Sequence, residues 1–152
     1  METPLRHAWF AGVVWACTFL FMPAVTSSSV YAQSSWPVEI KSVTLVDPAG
    51  YPLADCQSVG RLAMIEVKLT NLSDAVQSAA VLVELRDNSS GVTQFLQWQT
   101  MSISPKATQQ MATSFDPSSL SPSGQYDAKV FVWDKVLTPA PLSSPVQVPI
   151  NC

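Results

Sequence analysis

The sequence predicts an all-β protein, an antiparallel sandwich of about seven strands. Three observations lead there. Short runs in which apolar and polar residues alternate recur along the chain. Clusters of Pro, Gly, Ser, Asp and Asn punctuate them at fairly regular intervals. No amphipathic pattern of helical period and useful length appears. A chain of this size can close one core between two apolar faces.

The first strand lies in VEIKSVTLVD (38–47), with Val38 and Ile40, then Val43 and Leu45, on the apolar side. The alternation slips at Lys41–Ser42, as a bulge or kink requires. DPAG (47–50) is turn chemistry, since proline presets φ and glycine permits the reversal. A loop through Pro52 and Cys56 leads to RLAMIEVKLTN (61–71), the cleanest half-buried strand, with Ala63, Ile65, Val67 and Leu69 inward. LSDAVQ is a loop. SAAVLVELRD (78–87) sets Ala79, Val81, Val83 and Leu85 inward and Ala80, Leu82, Glu84 and Arg86 outward.

DNSSG (87–91) turns the chain into VTQFLQWQTMSI (92–103), apolar enough on both sides to leave its register open. QQMATSF (109–115) is a short strand with Met111 and Phe115 inward. After the loop DPSSLSPSG comes 125–134, with Tyr126, Ala128, Val130 and Val132 on a core face. Its other face begins polar, at Asp127 and Lys129, and ends aromatic, at Phe131 and Trp133. A Pro-rich crossing leads to VQVPI (146–150), where Pro149 demands a sheet edge or a place needing no ladder donor.

Residues 1–32 read as a cleaved signal peptide. Arg6 and His7 precede the apolar run AWFAGVVWACTFLFM, and VYA at 30–32 is a small-residue cleavage site. The run is short for a membrane span, so a membrane link is expected only if it stays uncleaved. Residues 33–152 then form a single domain, secreted or in the cell envelope. Glu2 and Arg6 leave with the leader, so the mature chain keeps a net charge of −3. No basic patch invites nucleic acid. Cys17 leaves as well, and the remaining pair, Cys56 and Cys152, is expected to form one disulfide.

The chain has one histidine, in the leader, so Ser–His and Cys–His nucleophiles are excluded in their usual form. Asp47, Asp55, Asp74, Asp87, Asp116 and Asp134 lie in turns or at strand ends, where Asp bonds its own backbone. No metal site, phosphate loop or cofactor is expected. Asn71-Leu72-Ser73 and Asn88-Ser89-Ser90 are N-glycosylation sequons in expected loops.

The run SLSPSGQYDAKVFVWD (119–134) resembles the start of the sixth strand of immunoglobulin-like and fibronectin-type-III-like domains, with Gly124, then Tyr126, then the small Ala128. With IEVKLTN (65–71), and with FVWD and PAPLS later, the chain is similar to such modules from prokaryotic, in part archaeal, secreted and cell-surface proteins. The resemblance covers 36–150. It implies an immunoglobulin-like sandwich and a tyrosine corner at Tyr126. Ala128 stands where antibody domains have a cysteine, so their inter-sheet bridge is absent. The resemblance also brings Cys56, in the first turn, and Cys152 to the same pole. It sets the third strand beside the sixth, and hence Leu82 near Phe131.

The leading functional expectation is a non-catalytic module acting by contact with another envelope or extracellular protein, or with itself. Leu82, Trp98, Phe131 and Trp133 are its candidate contact surface. The alternative is carbohydrate binding, with exposed aromatic rings stacking on a glycan.

Overall fold

The computed structural model describes residues 36–122 and 124–152. The expected leader, its cleavage site and Cys17 lie outside the described residues. Seven strands run through the described residues: β1 (Val38–Val46), β2 (Ala63–Asn71), β3 (Gln77–Asp87), β4 (Thr93–Ile103), β5 (Thr108–Phe115), β6 (Gln125–Trp133) and β7 (Val146–Asn151). They form two sheets, one in the order β1-β2-β5 and one in the order β4-β3-β6-β7. Every pairing is antiparallel. This is the expected antiparallel β-sandwich of seven strands, with the fourth strand in the sheet of the third rather than that of the first.

Strict alternation in β2 sends Ala63, Ile65, Val67 and Leu69 into the core. They meet Val81, Val83 and Leu85 of β3 and Ala128, Val130 and Val132 of β6 in one apolar cluster. Each larger side chain so buried contributes about 1.5–3 kcal/mol. In β1 the register shifts between Ile40 and Ser42, which keeps both halves of the strand facing the core. β7 pairs only with β6, so Pro149 stands on an edge strand.

The open register of β4 resolves with Phe95, Gln97, Gln99, Met101 and Ile103 inward and Leu96, Trp98 and Thr100 exposed. Two glutamines face inward because the sandwich is open on that side. Thr113 Oγ1 of β5 donates to Gln97 Oε1, and Gln99 Nε2 donates to the Ala112 carbonyl at 3.4 Å. These bonds latch one sheet to the other where apolar contact runs out.

The expected glycosylation site Asn71 requires correction. It is not a loop residue but the last residue of β2, and its exposure is 0%. Its Nδ2 donates to the carbonyls of Ala75 (2.8 Å), Ile103 (3.0 Å) and Ser104 (3.2 Å). Its Oδ1 accepts from Ser73 N and Oγ. A nitrogen so enclosed cannot carry a glycan in this fold. Asn88, in the exposed β3–β4 turn, meets no such obstacle.

Candidate interaction surface

The outer face of the four-stranded sheet is built by the residues that alternate away from the core: even positions in β3 and β4, odd positions in β6. Register fixes which of them are neighbours. Leu82 lies opposite Trp98 on one side and Phe131 on the other. The next row places Ala80 between Thr100 and Trp133. The row on the opposite side places Glu84 between Leu96 and Lys129, with Gln147 of β7 beyond Lys129. An apolar stripe therefore crosses three strands, with a polar field beside it.

The four residues singled out from the sequence do come together, with unequal roles. Trp98 is 52% exposed. Phe131 and Trp133 are half-buried, their ring centroids 5.7 Å apart and their planes tilted by 45°. Leu82 requires correction as a contact residue, because it is only 8% exposed. Flanked by Trp98 and Phe131, it is the floor of the stripe rather than its surface. Ala80 beside Trp133 is fully buried for the same reason. Leu96, 60% exposed, belongs to the stripe. It could not be assigned from the sequence because the register of β4 was open there.

Neighbouring groups hold the aromatic end in place. Lys129 Nζ lies 5.2 Å from the Phe131 ring centroid, a cation–π contact that contributes about 0.5–1 kcal/mol at an exposed site. Beyond Trp133 the Pro-rich crossing runs alongside β6: Leu142 N donates to the Val132 carbonyl, and Asp134 N to the Ala140 carbonyl. Pro141 thus flanks Trp133 in the plane of the sheet, at an isolated bridge. Gln147 Nε2 donates to Asp127 Oδ2 at 2.6 Å in the polar field.

The acidic groups held below their ordinary pKa sit elsewhere, in turns. Asp87 is lowered to about 2 by hydrogen bonds from Ser89, side chain before backbone, and from Ser90. Bonds from Ser118 lower Asp116. Asp134 is lowered by the Ala140 amide. Asp47 and Asp55 likewise accept from nearby backbone amides, and Asp74 pairs with Lys106 at 3.0 Å. These carboxylates are turn-makers. Among the described residues no three His, Cys, Asp or Glu side chains gather as a metal site.

At one pole Cys56, fully buried, and Cys152 are bridged, with a Cα–Cα distance of 5.0 Å. Tyr126 is buried, and its hydroxyl accepts from Ser121 N at 2.8 Å. Gly124 lies against the ring: a Cβ there would stand 2.4 Å from Tyr126 Cε2 and Oη. Among the described residues no helix is long and apolar enough to cross a membrane.

No protein-family profile matches the sequence, and no curated protein does. Solved structures do resemble the fold. A Bacteroides fragilis protein assigned as a β-galactosidase superposes with a TM-score of 0.54 at 14% identity over 72% of this chain. A β-glucuronidase of glycoside hydrolase family 2 gives 0.53 at 12% over 76%. A family 2 glycosyl hydrolase from Bacteroides cellulosilyticus gives 0.53 at 12% over 76%. This chain spans only 16%, 12% and 15% of those proteins, respectively. At such identity the likeness is one of fold: the chain is similar to a single β-sandwich segment within much larger proteins.

Proposed function

We propose that this chain is a non-catalytic immunoglobulin-like module, of the kind found in prokaryotic secreted and cell-surface proteins, that works by contact with another protein. The observation that carries the reading is the row Trp98–Leu82–Phe131, continued by Trp133, on the solvent side of a sheet. A packed sandwich gains no core from that face, and a contiguous apolar stripe on it suits a partner surface. The Cys56–Cys152 bridge supports an extracytoplasmic location.

The test is Phe131→Ser with melting temperature and partner association measured together. Association with envelope extract should fall at least about tenfold, a change near 1.4 kcal/mol, with little change in melting. Lower melting with association unchanged would make the stripe structural cover.

A second reading, saccharide binding, draws on the exposed Trp98 ring, with Thr100 and Glu84 near it on the same face, and on the glycosidases that share the fold. The 45° tilt between Phe131 and Trp133 weakens it, since those two rings offer no common flat platform. Quenching of Trp98 fluorescence by a glycan, absent in Trp98→Ala, would favour it.

A further inference from the structure

The four sheet edges differ in how they discourage another strand. β1 carries its bulge and a Glu39–Lys41 ion pair at 2.7 Å, and β7 carries the exposed Pro149. β5 has neither device, but its exposed side chains, Thr108, Gln110 and Ser114, are all polar. β4 pairs on one side only, runs for eleven residues with no charge and no proline, and exposes Leu96 and Trp98. An edge with open backbone donors and acceptors beside exposed apolar side chains is a template for one more strand.

The exposed side chains of β4 also have an order. The central four on the outward face, Gln94, Leu96, Trp98 and Thr100, run polar, apolar, apolar, polar, the same from either end about Gln97, with the polar Thr93 and Ser102 at the ends of the strand. A strand with that pattern complements itself when a second copy runs antiparallel to it. We propose that β4 is a homodimer edge: β4 of one copy pairs with β4 of another about a two-fold axis at Gln97. The two four-stranded sheets then join as one sheet of eight. This inference rests on the protein-contact reading and adds to its sheet face a separate contact, at the β4 edge, with a second copy of this chain.

In that register Leu96 of each copy lies opposite Trp98 of the other, and Gln94 opposite Thr100. Moving the axis to Trp98 would set Leu96 against Thr100 and lose both mixed apolar pairs. Slipping the pairing by one residue would set outward side chains against inward ones. Since β4 is uncharged, two copies of net charge −3 meet no like charges along the seam. The contact uses the same strand in both copies, so it closes at the dimer.

Sedimentation equilibrium of the purified protein, from micromolar to about millimolar concentration, reads the result directly. The wild type should reach twice the monomer mass. Trp98→Lys should weaken the dimer at least about tenfold. Thr100→Lys, on the same exposed edge, should do likewise and guards against misfolding of the first variant. Phe131→Ser, on the stripe but two strands from the seam, should leave dimerisation within about twofold. A monomer at every concentration overturns the dimer, while Phe131→Ser in envelope extract still decides the protein-contact reading separately. Loss of the dimer in Phe131→Ser equal to that in Trp98→Lys would mean that faces stack rather than edges pair, and overturns it too.

Discussion

Asn71 ends β2 as a hub, its amide nitrogen shared among three carbonyls from two other segments. Asn71→Ala leaves those acceptors short of a donor in a dry place and should cost about 2–3 kcal/mol, read as a lower denaturant midpoint. Glycan analysis should find Asn71 bare even where Asn88 is modified. From the sequence alone Asn71 stood where the second strand meets a loop sequon, because an exposed asparagine and a buried hub present the same letter, and only the long-range partners Ile103 and Ser104 tell them apart. Gly124 is the reverse case, since the resemblance to immunoglobulin-like domains, carried by Gly124 and Tyr126, implied a tyrosine corner there. A Cβ at 124 meets a buried ring that has nowhere to go. Gly124→Ala should therefore destabilise by about 1–3 kcal/mol. Tyr126→Phe, which loses the bond from Ser121 N and the longer one from the hydroxyl to the Ser121 carbonyl, should cost about 1 kcal/mol.

At the scale of elements, β2 was legible because its two faces differ in burial, so period-two alternation is complete; in β3 the inward set was legible, although Ala80 and Leu82 on its other face are buried as well. β4 was not, because it lies where the sandwich opens: Gln97 and Gln99 point inward to bond β5, while Leu96 and Trp98 point to solvent. Polarity there follows the cross-sheet latch rather than burial. The β3–β4 hairpin gives a pH prediction. Asp87 is held at about 2 against an ordinary 3.8 by hydrogen bonds from Ser89 and Ser90. Its ionised form is therefore favoured by folding, and that stabilisation is complete above pH 3.8 and lost as pH falls toward 2. Asp116 and Asp134, lowered by their own turn bonds, act in the same direction. Acid titration of the melting temperature should show a fall in that window, shallower in Asp87→Asn.

For the molecule as a whole, the sandwich was foreseeable since each strand carried its own turn signals, whereas the site was only half so. Trp98 and Phe131 could be named and the resemblance set Leu82 near Phe131, but the place of Trp98 opposite Leu82 is a matter of register, which single-strand patterns do not carry. The bridge between Cys56 and Cys152 closes a loop for which chain entropy gives about 4–5 kcal/mol. Cys152→Ala, which leaves the buried Cys56 undisturbed, should lose up to that amount in chemical denaturation under non-reducing conditions. The same bridge also sets how the domain bears load. A pull applied at the two ends passes from Cys152 directly to Cys56, so the 96-residue span between them is a closed covalent ring that tension cannot draw out. Between Val38 and Cys152, only the segment before Cys56, which includes β1, lies on the force path. In a single-molecule stretching experiment the reduced domain should release on the order of 300 Å more contour length than the oxidised one. Oxidised, the module can lengthen only through the segment before Cys56, and β4 lies inside the ring that tension cannot draw out.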